Sequence, residues 1–202
     1  MILSRRSFTS FALIAFTLPQ CSPVNARKAL PKAIKLIAAA RSQIGVTLAY
    51  DPAYTALSFP NGDVPRSKGV CTDVVIRAYR DALGIDLQAE VNADMRANFA
   101  AYPKIWGLRG ADKNIDHRRV PNLQAFLKRN GAALPITASA EDWQPGDIVT
   151  SLVGGTFPHI GIVSDRMSGE IPLVVHNIGD GTQEENALFA HKIMGHYRWQ
   201  LA

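Results

Sequence analysis

The spacing of apolar residues changes period once along this chain, and that change limits the possible folds more than any other feature. As far as Gly131 the apolar positions recur at helical spacing. From Gly146 onward they fall in short β-branched or aromatic runs, punctuated by Gly, Pro and Asp. Helical stripes followed by strands, without alternation between the two, predict an α+β fold with N-terminal helices packed on a C-terminal antiparallel sheet. At 202 residues, 47% apolar and 19% charged, the chain can bury a core of one-domain size and is not disordered by composition.

In the first half, 28–44 reads as a helix with Leu30, Ile34, Ile37 and Ile44 inward, interrupted by Arg41 and stopped at Gly45. A loop of more than 20 residues, 47–69, follows and carries Tyr50, Asp51 and Tyr54; a connection that long suggests a binding loop. Val74, Val75, Ala78, Tyr79, Ala82 and Leu83 mark a second helix that ends at Gly84. Val91, Met95, Phe99 and Tyr102 mark a third, stopped by Pro103, and Leu123, Phe126 and Leu127 a fourth, with Pro121 in its first turn. The predicted strands are 146–153, 159–163, 173–176 and 195–199.

Residues 1–26 read as an export leader: Arg5-Arg6 precede an apolar run, 11–18, too short to span a bilayer, and Val24-Asn25-Ala26 has the form of a signal-peptidase site. The paired arginines fit a twin-arginine signal, and a general secretory signal fits nearly as well. The expected destination is the periplasm or the medium, and 27–202 is the mature domain, with no membrane span. Losing Arg5 and Arg6 takes the 22 basic residues to 20 against 17 acidic, a net charge of +3. That is no signature of nucleic-acid binding. Cys21 leaves with the leader, so Cys71 is the lone cysteine of the mature chain and cannot form an internal disulfide.

Cys71 sits where Lys68-Gly69-Val70 runs into the second helix. Unpaired N–H groups and the positive end of the helix dipole favour a thiolate at such a tip, the form that acts as a nucleophile. A buried cysteine acting as a small hydrophobe is the competing reading. A cysteine nucleophile needs a base and a group to orient that base. His159 opens one predicted strand and His176 closes the next, so a hairpin brings both imidazoles to one end. Asn177 competes with His176 for the orienting role, because adjacent strand residues face opposite ways. The cluster Asp116-His117-Arg118-Arg119 reads either as a solvated helix entry or as an electropositive wall, with an arginine fork for a substrate carboxylate. Asp73 reads either as support for the helix terminus or as a contact for a substrate amine. The spacing of Cys71, His159 and His176 lacks the short ligand pairs of structural zinc, and no metal or other cofactor is expected.

These blocks, in this order, resemble NlpC-type cell-wall cysteine peptidases of the papain-like superfamily: Ala39-Ala40-Arg41-Ser42-Gln43-Ile44-Gly45 leading to Tyr50, Cys71-Thr72-Asp73-Val74-Val75, Trp143-Gln144-Pro145-Gly146-Asp147-Ile148-Val149, His159-Ile160-Gly161-Ile162-Val163 and Val175-His176. The longer blocks 69–77, 114–122 and 176–179 are similar to an exported bacterial family catalogued as domain of unknown function 1287. The resemblance implies a papain-like fold, Cys71 as nucleophile, His159 as base, His176 as orienting group and Tyr50 beside the oxyanion. Thr72-Asp73 departs from the Ser-Gly usual in such peptidases. The implied activity is hydrolysis of an amide, with peptidoglycan stem peptides as substrate. Two alternatives stay open: a non-catalytic envelope-binding module on the same scaffold, and an acyl-ester or lipid hydrolase or transferase.

Overall fold

A computed structural model describes residues 29–201. The expected leader, its expected cleavage site and Cys21 lie outside the described residues.

Helices α1 (Pro31–Arg41), α2 (Cys71–Leu83), α3 (Leu87–Asn98) and α4 (Val120–Arg129) alternate with two short strands, β1 (Ala49–Tyr50) and β2 (Lys68–Gly69), which pair parallel. Then come β3 (Ala133–Leu134), β4 (Ile148–Val153), β5 (Phe157–Ser168), β6 (Ile171–Asn177), β7 (Thr182–Glu185) and β8 (Lys192–Tyr197). These six form one antiparallel sheet in the order β3-β8-β4-β5-β6-β7. The α+β arrangement expected from the change of period is present, with α1 and α2 packed on β5 and β6.

Strand alternation divides the buried residues into two cores. Ile148, Ile160, Ile162 and Val175 face the helices and meet Leu36, Ile37, Val74, Val75 and Phe126. Val149, Val163 and Val174 face the other way, against Trp143 and Leu188. On that second side Trp143 stacks on His196 at a ring separation of 3.8 Å, and the fully buried Asp147 holds His196 at 2.7 Å and Arg198 at 2.7 Å.

The first helix departs from the sequence reading. Leu30, Ile34 and Ile44, expected inward, are exposed, while Ala33, Leu36, Ile37 and Ala40 are buried. The inward face carries small residues because the helix approaches its neighbours closely. A Cβ added at Gly146 (φ +89°) would stand 2.9 Å from the Cβ of Ala33. Arg41, which seemed to interrupt the stripe, reaches past it to Glu184 and Asp165.

The 47–69 loop is tied down by two buried polar side chains. Arg77, fully buried on α2, donates to Asp63, to Thr47 Oγ1 and to the carbonyls of Val64 and Lys68. Gln88 on α3 accepts from Gly62 N–H and donates to the carbonyls of Ser58 and Lys113. Such networks replace the missing secondary structure as partners for the loop's backbone groups.

Candidate active site

Three elements meet at Cys71. The sulfur is on the first residue of α2, where N–H groups lack intrahelical acceptors. Asp73 caps this turn, accepting from Val70 N–H at 2.7 Å. The β1–β2 pair places Tyr50 opposite Gly69, two residues before the cysteine, and brings the phenol to 4.0 Å from Cys71 Sγ. From the sheet, the Ile160 N–H also reaches the sulfur. Cys71 therefore lies against the backbone of the residue that follows His159.

His159, near the start of β5, and His176, near the end of β6, are joined Nε2 to Nδ1 at 2.8 Å. The other His176 nitrogen, Nε2, stands 3.1 Å from the Glu185 carboxylate on β7. This chain has a direction. An ionised carboxylate only accepts, so His176 Nε2 carries a proton and donates it to Glu185. The neutral His176 ring then has a lone pair on Nδ1, and His159 Nε2–H donates to it. His159 Nδ1 is left without a proton, as a base must be. Among the described residues no hydrogen bond joins that ring to Cys71.

Gly161 makes the pairing of the two rings possible. It lies on the same face of β5 as His159, and a Cβ there would sit 2.5 Å from Val174 Cγ1 and 3.1 Å from His176 Cβ. The room that glycine leaves in the strand is filled by these β6 side chains.

Burial sets the charge state. It pushes the Cys71 thiol up to about 11, assisted by the negative Asp73 and opposed by the Ile160 and Thr72 N–H groups and the Tyr50 hydroxyl. Burial, followed by the neighbouring His176 and His191, takes His159 down to about 3. Burial also lowers His176, against the pull of Glu185. A resting thiolate was expected from the helix tip alone. In the closed site desolvation outweighs the tip, and the pair rests as neutral thiol and neutral imidazole.

The remaining candidates fall into different roles. Asp73 and Arg118 engage each other through two hydrogen bonds of 2.9 Å and are buried. Arg118 also donates to the carbonyls of Asp51 and Ala53, which fixes the strand end that carries Tyr50. The geometry thus gives both charges to each other, and neither is free for a substrate amine or carboxylate. Asp116 accepts from Asp112 N–H, Arg119 and Asn122, and is likewise buried. His117 is enclosed behind the site, and burial takes it down to about 4. Asn177 points away from His159: it donates to the Gly69 carbonyl at 3.2 Å and accepts from Gly179 N–H, so it braces the cysteine turn against the sheet. Between His176 and Asn177, the imidazole faces His159.

A hollow of about 530 Å³ opens beside Cys71, walled by Tyr50, Tyr54, Trp106, Arg119, Phe157 and Pro158. A smaller one of about 180 Å³ holds His159 and shares Tyr50, Phe157 and Pro158 with the first. Arg119 uses one nitrogen on Asp116 and lays its guanidinium 4.2 Å from the centre of the Trp106 ring. Among the described residues no group of three or more His, Cys, Asp or Glu side chains is placed to hold a metal ion, and no helix is long and apolar enough to cross a membrane.

Sequence reasoning missed Glu185 and Trp106, while the arginine fork it placed at Arg118 or Arg119 is left to Arg119, since Arg118 is held by Asp73. Glu185 was detectable only by assuming a β6–β7 hairpin through Gly179-Asp180-Gly181. The observed register sets His176 opposite Gln183 and leaves Glu185 diagonal to it on the same face.

Residues 37–199 match the family described as Domain of unknown function (DUF1287). The chain belongs to that family. As a DUF1287 protein it is similar to "Uncharacterized protein YijF" of Escherichia coli (strain K12), with 52% identity over 161 residues, covering 79% of this chain and 78% of the relative. No solved structure matches this DUF1287 chain.

Proposed function

We propose that this DUF1287 protein is an exported cysteine hydrolase of papain-like, NlpC-type design that cleaves an amide bond in peptidoglycan stem peptides. The observation that supports this reading is the directed chain Glu185–His176–His159, which leaves one unprotonated nitrogen on His159, a residue whose hollow shares Tyr50, Phe157 and Pro158 with the one beside Cys71.

In this mechanism Cys71 Sγ attacks the amide carbon while its proton passes to His159 Nδ1. The carbonyl oxygen becomes an oxyanion, met by the Cys71 N–H and the Tyr50 hydroxyl. His159 returns the proton to the departing amine, and a thioester remains. A water molecule gives its proton to His159 and its oxygen to the thioester carbon, releasing the acid and restoring the thiol. The neutral resting pair suits this sequence, because neither Cys71 nor His159 carries a buried charge until substrate is in place. Arg119, flat on Trp106 at the rim, is the group for a stem-peptide carboxylate. Export through the 1–26 leader supplies the compartment.

The aromatic and proline lining of the hollow favours a second reading, an acyl-ester substrate. Digestion of purified muropeptides by wild type and Cys71→Ala separates the two. Amide cleavage by wild type and none by the variant is expected. Intact muropeptides with both proteins, alongside Cys71-dependent consumption of an ester, would replace the first reading by the second. Inertness toward both would leave an envelope-binding module.

A further inference from the structure

A third hollow, of about 510 Å³, lies between α3 and the segment 109–113. Its walls carry Arg96, Arg109 and Lys113, and its lining includes Asn92, Met95 and Phe99. None of the three cations has a carboxylate within salt-bridge distance among the described residues. The nearby acids are engaged elsewhere. Asp94 is held by Arg129, Tyr102 and Asn98, and Asp112 accepts from Tyr54 and from Asn114 N–H. Three exposed cations would by themselves be an ordinary solvated patch. Asn92 makes the difference. Its side chain lines the hollow, it is 8% exposed, and its amide has no hydrogen-bond partner among the described residues. Neither amide atom is sealed off, so both stay open to a group placed in the hollow. The wall is also held in place: Gln88 bonds the Lys113 carbonyl at 3.0 Å, and Met95, buried on α3, supplies the apolar lining.

The geometry points to a phosphate-binding site, separate from the Cys71 chemistry and going beyond the proposed hydrolase. Two guanidinium forks and an ammonium supply the charge for a phosphate dianion or diester, the Asn92 amide donates to one of its oxygens, and Met95 and Phe99 accept the apolar or sugar part of the ester. In an envelope the same group is offered by phosphorylated polymers and by lipid headgroups.

The experiment titrates the mature chain with inorganic phosphate, glycerol phosphate and acetate by calorimetry. In parallel it measures sedimentation with phosphatidylglycerol vesicles, using phosphatidylcholine vesicles as reference. Saturable binding of glycerol phosphate is expected, falling with salt and weakened at least tenfold in the surface double variant Arg109→Ser/Lys113→Ser. Asn92→Leu should weaken it at least fivefold. The control pair Lys35→Ser/Lys192→Ser, distant surface cations, should leave it unchanged, and so should Cys71→Ala. Vesicle binding that the same variants abolish and glycerol phosphate competes assigns the lipid source. Glycerol phosphate binding without vesicle binding assigns a soluble or polymer-borne phosphate. Absence of saturable binding to any phosphate probe, acetate binding as tight as phosphate, or equal loss in the control pair would overturn the assignment. The surface double variant decides the matter if Asn92→Leu does not fold.

Discussion

Replacing Gly161 by alanine adds a single methyl group at the point where the two histidines are brought together. That carbon would lie 2.5 Å from Val174 Cγ1, 3.1 Å from His176 Cβ and 3.1 Å from the Val175 carbonyl. Carbon atoms rest roughly 3.5–4.0 Å apart, so Val174 must retreat by about 1 Å and His176 by several tenths of an ångström. Val174 has nowhere to go: it is 2% exposed, packed with Trp143, Val163 and Leu188. Overpacking of this kind costs about 1–3 kcal/mol, to be read from urea unfolding. The His159–His176 bond, 2.8 Å in the wild type, stretches toward the limit of hydrogen bonding as β6 is pushed away. With His159 as the proposed base, a misplacement approaching 1 Å lowers turnover on the order of a hundredfold. The second substitution Val174→Ala removes the atom that the new methyl strikes. The double variant Gly161→Ala/Val174→Ala should therefore regain much of the lost turnover, although Val174→Ala alone only opens a cavity. If Gly161→Ala unfolds at the wild-type urea concentration and keeps full turnover, or if the double variant is worse than either single one, the steric account of the pair is wrong.

Glu185→Gln tests the direction of the relay. An amide can accept from His176 Nε2 or donate to it, so both tautomer chains become accessible to His159. With Glu185 half exposed, the difference is about 1 kcal/mol, or roughly a fivefold loss of kcat with little change in KM. Nitrogen-15 NMR of His159 should change from a single Nε2–H tautomer to a mixture, and an unchanged single tautomer would show that the carboxylate does not select it. Acid stability tests the buried histidines. Burial holds His117 at about 4 and His159 at about 3, below the ordinary 6.5. The unfolded chain therefore takes up protons that the folded one refuses, and the stabilising effect is complete above pH 6.5 and lost as pH falls toward 3–4. Each of the two removes about 2 kcal/mol between pH 7 and pH 5. The lowered carboxylates Asp81, Asp94, Asp165 and Glu184 act below that window. Urea unfolding at pH 7, 6 and 5 reads the slope. His117→Phe should remove its own share of about 2 kcal/mol, leaving that of His159 and of the likewise lowered His176, and a flat profile would mean that these rings charge without unfolding.

The α+β arrangement was legible because period follows burial. A helix stripe and a strand alternation cannot be confused when each covers one face of a core, and Cys71, His159 and His176 were placed by that logic alone. The first helix was misjudged because its inward face is half alanine. Burial there follows from a close approach to Gly146, which no local pattern records. Glu185 escaped notice for a different reason. Strand β7, Thr-Gln-Glu-Glu, has no apolar alternation, so only its pairing register with β6 gives it a role. Asp73 and Arg118, 45 residues apart, read as free charges in sequence because nothing local says that two distant ions will meet and desolvate together.

That meeting bears on how the candidate site works. An ion pair enclosed beside a reactive thiol is expensive unless both partners are fully hydrogen-bonded. Here Asp73 also takes the Val70 N–H, and Arg118 also takes the Asp51 and Ala53 carbonyls. The pair thereby links the cysteine turn to the strand end bearing Tyr50, while Asn177 links the same turn to β6. The cysteine turn is thus tied to the strand end bearing Tyr50 through Asp73 and Arg118, and to the sheet through Asn177. In the proposed mechanism the groups that meet the substrate are the unprotonated nitrogen of His159, the Cys71 sulfur and the Arg119 guanidinium on its indole. In a desolvated site those are the groups through which charge can enter with the substrate, and the buried ions around them work by holding still.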